Sequence, residues 1–185
     1  MLKKGFIFLI SIYFYLCFAA FSDQKENIIN QINAVSSLEF TFQQEIDKKI
    51  EKGDCLLEFP GKLKCNYYDN KQKEIIINNG NLAITQKRYD KTNFYPISKS
   101  PFLNILYKDR FSEIIKSGTL KTSKDYLELI YSTKDKIIIF FNKNSFELSG
   151  WKIIDQYNNE INFNLKIVAR NSIFSKDTFK LPLIN

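Results

Sequence analysis

Alternation of apolar and polar residues along most of this 185-residue chain predicts a mainly β protein, arranged as an antiparallel meander. Three observations carry that expectation. Period-two runs recur along the chain, turn dipeptides join them at hairpin spacing, and helical stripes are scarce, so that about ten strands face three short amphipathic helices. The connections are too short for parallel crossovers, which need a dozen or more residues.

The chain opens with Lys3 and Lys4, an apolar run from Phe6 to Phe18, and the small residues Ala19, Ala20 and Ser22. A positive end, a short apolar core and a small-residue cleavage site are the plan of a secretory signal peptide. The apolar run falls short of the ~20 residues that span a bilayer comfortably. Cleavage after Ser22 divides the sequence into a leader, 1–22, and a single domain, 23–185. Two other readings compete: an uncleaved anchor, and lipidation at Cys17. Tyr15 and Leu16 are large where lipidation favours small residues, which argues against the second.

A first helix is expected over 24–35, with Ile28, Ile29, Ile32 and Val35 on one stripe. Leu38 to Gln43 then alternates strictly. The stretch from Gly53 to Tyr68 reads as two half-buried strands about Pro60-Gly61-Lys62, with Cys55, Leu57, Phe59, Leu63, Cys65 and Tyr67 on one face. Glu74 to Asn78 and Asn81 to Thr85 flank Asn79-Gly80, the strongest short hairpin signal, because both residues tolerate the positive φ of a type I′ turn. Ser100-Pro101 marks a helix start, a capping hydroxyl followed by proline at the first helical position. Arg110 to Ile115 forms a further helical piece ended by Gly118. Strands follow at 126–131, 137–141, 146–155 and 160–168.

Without Lys3 and Lys4 the domain keeps 25 Lys and Arg against 20 Asp and Glu, a net +5. The charge is scattered and shows no basic block interleaved with aromatics, which argues against a nucleic-acid partner. A mildly basic surface suits approach to anionic membranes or an acidic partner, and equally suits a merely solvated surface. The chain has no histidine, which removes Ser-His-Asp and Cys-His catalytic units and histidine metal sites. No Gly-x-Ser-x-Gly elbow, P-loop or dinucleotide-binding glycine turn occurs, and nothing calls for a cofactor or metal. A hydrolase built on paired carboxylates, such as Asp155 and Glu160, is the remaining enzyme alternative; both lie near an Asn158-Asn159 turn, where polar residues are expected anyway.

Cys55 and Cys65 share a strand face. In one hairpin register they stand directly opposite and can form a disulfide; shifted by one pair they lie on a diagonal, too far apart. A secreted protein with an even cysteine count favours the bridge, and two small buried hydrophobes are the alternative. So many one-sided strands with so few helices suit a curved sheet wrapped around helices, whose inner side is a natural apolar cavity. A fully packed core would show the same periodicity.

Read in order, Phe40-Thr41-Phe42-Gln43-Gln44, Gly53 with Pro60-Gly61-Lys62-Leu63-Lys64 and Tyr67, Asn79-Gly80, Pro96-Ile97-Ser98-Lys99-Ser100-Pro101, Trp151-Lys152-Ile153-Ile154-Asp155-Gln156 and Phe179-Lys180-Leu181-Pro182 resemble the LolA family of periplasmic lipoprotein carriers. The likeness covers nearly all of the domain. It implies an incompletely closed antiparallel β-barrel, a curved sheet of about ten strands, with short helices capping an apolar cavity. It further implies that acyl chains lie against a wall of Phe40, Phe42, Leu57, Phe59, Leu63 and Tyr67, beneath a helical lid carrying Phe102, Leu103 and Leu106. The expected partners are acylated lipoproteins, an ATP-driven inner-membrane release complex, and an outer-membrane acceptor or the membrane itself. The carrier would act as a periplasmic monomer and needs no ATP site of its own. An envelope lipid or lipoprotein sensor, or the lipid-anchored outer-membrane acceptor, shares the fold and is the alternative. One position departs from the pattern. Many family members have arginine just before the proline of the first hairpin, where it hydrogen-bonds lid backbone; here that residue is Phe59, and an apolar lid contact is expected in its place.

Overall fold

The computed structural model describes residues 23–97, 101–132, 135–154 and 157–183, and for 101–103 the backbone alone. The expected leader with Cys17, the capping Ser100, Asp155, and the side chains of Phe102 and Leu103 lie outside the described residues. Among the described residues, no helix is long and apolar enough to cross a membrane.

Helix α1 occupies residues 23–33. Six strands follow: β1 (Ser37–Ile46), β2 (Lys49–Glu58), β3 (Lys62–Tyr67), β4 (Lys73–Asn78), β5 (Asn81–Gln86) and β6 (Lys91–Pro96). A 3-10 helix, Pro101–Leu106, and α2 (Lys108–Ser117) then lead to β7 (Thr119–Thr122), β8 (Tyr126–Ser132), β9 (Lys136–Asn142), β10 (Leu148–Ile154) and β11 (Glu160–Arg170). All eleven strands form one antiparallel sheet in the order β6-β5-β4-β3-β2-β1-β11-β10-β9-β8-β7. Every neighbouring pair is consecutive in the chain except β1 and β11, which pair from Leu38 with Arg170 to Ile46 with Ile161. The edges β6 and β7 do not close on each other, and the segment from Ile97 to Gly118 carries the chain from one to the other.

The expected fold class is therefore observed, with corrections at particular elements. The sheet gains edge strands that the alternation did not show: β6 is mostly exposed, and β7 buries Leu120 in an otherwise exposed quartet. Residues 101–106 wind as a 3-10 helix. Strand β10 starts at Leu148 rather than 146, because Phe146 takes a left-handed φ of 58° in the preceding turn. Gly118 follows α2 in extended conformation, its N–H donating to the Ile114 carbonyl at 2.8 Å.

The hairpin registers follow from turn chemistry. Asn79 and Gly80 both have positive φ, as a two-residue type I′ turn requires. Asp47 and Lys48 do the same between β1 and β2 without any glycine to announce it. In the first predicted hairpin the loop is Phe59-Pro60-Gly61, so Glu58 pairs with Lys62 and Leu57 with Leu63. That register sets Cys55 opposite Cys65, and the two are joined in a disulfide.

The inner face is apolar and carries an aromatic row across four of its strands. Trp151 stacks on Phe163 with ring centroids 4.2 Å apart, Phe163 on Phe42 at 4.8 Å, and Phe42 meets Tyr67 edge-on at 4.9 Å. Strand β2 lies between Phe42 and Tyr67, and there its residue is Gly53. A Cβ on Gly53 would sit 2.6 Å from the Phe42 ring and 2.1 Å from the Asn66 carbonyl oxygen, so glycine is what lets the row run across β2. Beneath the other half of the sheet, Phe111, Ile114 and Ile115 of α2 pack with Leu127, Leu129, Ile139 and Phe141. The chain beyond β11 returns along the sheet, where buried Phe179 accepts a hydrogen bond from Asn78 through its carbonyl.

Gly53→Ala should therefore cost about 1–3 kcal/mol through overpacking. Urea denaturation measures it, and an unchanged midpoint would show that the row does not depend on that gap.

Candidate functional site

Seven strands turn side chains toward one space under the sheet, a cavity of about 190 Å³. Its interior is set by Phe40 from β1, Cys55 from β2, Leu63 and Cys65 from β3, Ile77 from β4, and Trp151 and Phe163 from β10 and β11; all are buried. Ile97, just beyond β6, closes one side. Gln44, Ile75, Leu82, Ile153 and Ile161 also line the space but are half-buried, so the cavity opens along this side. The Cys55–Cys65 disulfide is part of the wall and ties β2 to β3 there.

The open side carries the polar groups. Tyr67 donates its hydroxyl proton to Gln44 Oε1 at 3.0 Å. Burial, and after it the carboxylates of Glu51 and Asp69, push the phenol far above its ordinary pKa, so Tyr67 is a neutral donor. Lys73 lies with Nζ 3.7 Å from the Tyr67 ring centre and 2.6 Å from Glu51 Oε2, while Lys49 Nζ stands 2.8 Å from Glu51 Oε1. Strand parity explains the cluster: Lys49 and Glu51 share the parity of the inward Gly53 and Cys55, and Lys73 that of the inward Ile75 and Ile77. Burial raises the Glu51 pKa, but hydrogen bonds and charge from Lys49 and Lys73 outweigh it, and the carboxyl titrates below its usual range.

Leu57 and Phe59 face a separate crevice of about 40 Å³, shared with Ile32 of α1 and Val35 just after it, and with Ile105 and Phe111 from the segment between β6 and β7. Here the segment that follows β6 meets the first hairpin. Gly61 donates its N–H to the Leu106 carbonyl at 2.8 Å, and Lys108 Nζ sits 5.3 Å from the centre of the Phe59 ring. Gly61 has φ +74°, and a methyl group there would come within 2.6 Å of the Tyr107 hydroxyl. The Gly61–Leu106 hydrogen bond and the Phe59 contacts are what stands at the position where the family resemblance implied an arginine.

Of the residues expected in the wall, Phe40, Leu63 and Tyr67 line the larger cavity and Leu57 and Phe59 the crevice. Phe42 lies in the aromatic row between Tyr67 and Phe163. Leu106 is fully buried in the core. Sequence reasoning missed Gln44, Ile75, Ile77, Leu82, Ile97, Trp151 and Phe163. Their inward parity was readable, but not which strands would be neighbours. Glu160, one of the carboxylates considered for catalysis, is paired with Lys152 at 2.6 Å.

An unclosed antiparallel sheet over helices, holding an apolar cavity with its lid segment strung between the free edges, defines a LolA-like fold. The family described as "Outer membrane lipoprotein carrier protein LolA" matches residues 33–182, and the chain belongs to that family. Among solved structures, MucB is similar at a TM-score of 0.53 and 10% identity, over 89% of this chain and 63% of that one. The MucA/MucB complex of Pseudomonas aeruginosa gives 0.52 and 9%, over 88% and 61%. A LolA-superfamily protein from Nitrosomonas europaea gives 0.42 and 7%, over 78% and 89%. The chain spans about three fifths of the length of the MucB chains it matches. No curated protein sequence matches it.

Phe59→Ala should speed amide exchange over residues 101–107 roughly tenfold, the effect of losing a half-buried aromatic contact. Unchanged protection in those amides would assign lid closure to the Gly61 hydrogen bond alone. Glu51 makes a second expectation. Because its folded pKa is lowered, it contributes stability that is present above the unfolded value of about 4.3 and is lost as pH falls through the folded value. Glu51→Gln should flatten the fall in urea midpoint between pH 5 and pH 3; a fall as steep as in the parent protein would contradict that role.

Proposed function

We propose that this protein is a periplasmic carrier that encloses the acyl chains of lipoproteins released from the inner membrane and delivers them to the outer membrane. The apolar cavity under an unclosed sheet, in a chain of the LolA family, is the observation that carries the reading. Each acyl methylene withdrawn from water contributes about 0.8 kcal/mol, so a lipoprotein with several chains needs an apolar enclosure to cross an aqueous compartment. Release at the far side requires that the enclosure remodel. The wall is stiffened by the aromatic row and the disulfide, whereas residues 104–108 meet the first hairpin through a few separate contacts, and in this account they are the moving part. Residues 1–22 act in this account as a cleaved leader, and the mature protein, 23–185, works as a monomer between an ATP-driven release complex and an acceptor or the membrane.

An envelope lipid or lipoprotein sensor is the second reading, favoured by the likeness to MucB, which has been solved in complex with MucA. One assay separates the two. Purified mature protein is added to spheroplasts making a labelled outer-membrane lipoprotein, with and without ATP production. The carrier should yield a soluble one-to-one complex that depends on ATP. Absence of release from a source-matched transporter by a folded protein would leave the sensor as the better account.

A further inference from the structure

Lys49, Glu51 and Lys73 share the sheet face that elsewhere forms an apolar wall, with Glu51 paired across β1 and β2 with Gln44, which lines the cavity. Two ammonium groups share the Glu51 carboxylate, which leaves these three side chains at +1, and the Asp69 carboxylate, which also acts on Tyr67 and Lys49, lies nearby. The Glu51 side chain is 12% exposed and that of Lys73 20%, so their charges are screened less than on an open surface. Tyr67 joins this cluster to the cavity: its ring lies under Lys73, and its hydroxyl donates to Gln44, which lines the opening. Because that hydroxyl takes up Gln44 Oε1, the amide nitrogen of Gln44 is the end left to donate elsewhere.

We propose that this cluster is a headgroup subsite and that the cavity takes an anionic amphiphile, its tail against Phe40, Leu63 and Trp151 and its anionic head at Lys73 and the Gln44 amide. The proposal rests on the carrier reading of the cavity and adds to it a charge preference and a direction of entry, tail first from the Gln44 side. Glu51 acts as the internal competitor: it occupies both lysines in the empty protein and must share them when an anionic head arrives. At about 30 Å³ for each heavy atom, the present cavity admits roughly six atoms, the leading part of one tail. A longer tail then draws on movement of the lid segment.

The test compares binding of cis-parinaric acid with its methyl ester, which keeps the tail and removes the charge, by fluorescence titration of the purified protein at pH 7. The acid should bind about fivefold more tightly than the ester, the scale of a partly exposed ion pair. Lys73→Met should bring that ratio to about one, and Glu51→Gln, which frees the lysines, should raise it. Opposite changes from the two partners of one ion pair are not what a structural role predicts, and the Glu51→Gln result decides if Lys73→Met does not fold. Competition by lysophosphatidylglycerol against a monoacylglycerol of equal tail identifies a phosphate head; a preference confined to the fatty acid identifies a carboxylate. A ratio of one in the parent protein, or a lower ratio in Glu51→Gln, overturns the subsite while leaving the cavity a lipid site. Failure of both parinaroyl probes to bind removes the carrier reading as well.

Discussion

The pairing of the first strand with the last is the interaction on which the rest of this structure depends. Every other ladder joins consecutive strands and can form locally; β1 with β11 bridges more than a hundred residues and makes one sheet of two meanders. Such pairing bears the full loop-closure cost before its contacts form, so it must be reinforced. The reinforcement is visible on the inner face of the seam and at its end. Inside, Phe42 stacks on Phe163, which stacks in turn on Trp151. At the end of the ladder, Asn171 donates its backbone N–H to the Ser37 carbonyl, and its side-chain oxygen accepts from the Ser36 N–H. Once the seam is made, the two free edges lie at opposite ends of the strand order, and the chain between them has to cross the inner face. The cavity follows from that arrangement.

How far the sequence disclosed this depends on what each feature requires. Asn79-Gly80 and the alternation from Cys55 to Tyr67 are local, and strand, turn and inward face could all be read from them. Cys55 opposite Cys65 needed a register, and that depended on whether the loop held Lys62 or released it to pair with Glu58; alternation is blind to a choice of that kind. The edge strands were hidden because an edge need not bury a face: β6 shows no apolar alternation, and β7 offers Leu120 alone. The cavity was less legible still. Trp151 and Phe163 become neighbours of Phe42 only through the β1–β11 seam, and no periodicity within β1 points to β11.

Wall and lid are built from interactions of different stiffness. Stacked rings, a disulfide and paired strands leave the wall little freedom, because interiors packed at this density do not deform continuously. The lid segment meets the first hairpin through the Gly61 hydrogen bond to Leu106, the Phe59 crevice and the Tyr107 ring packed on Gly61. A backbone hydrogen bond has a net worth of about 1 kcal/mol, and with Gly61 and Leu106 both buried the larger cost of parting the segment from the hairpin is exposing the Leu106 side chain. Under the proposed carrier reading, affinity would come from the surface that keeps its shape and release from the segment that does not.

The charged cluster at the cavity opening is where the chain departs from what stability alone would ask. Inward positions on β2 and β4 are Gly53, Cys55, Leu57, Ile75 and Ile77, and continuing that pattern to 49, 51 and 73 would extend the apolar wall. Half-buried ion pairs of this kind return little net stability, because desolvating the charges offsets much of their attraction. Glu51 shows the balance directly: burial alone would raise its pKa, and hydrogen bonds and charge from Lys49 and Lys73 bring it below the usual range. An entirely apolar opening would also leave an unprotected hydrophobic patch beside the cavity, a risk of self-association for a protein that must stay dispersed. The cluster breaks that patch and gives this side of the sheet face a polarity that the cavity interior lacks. Under the proposed subsite, cargo would be oriented by side chains whose inward parity is fixed by the same strands that build the wall.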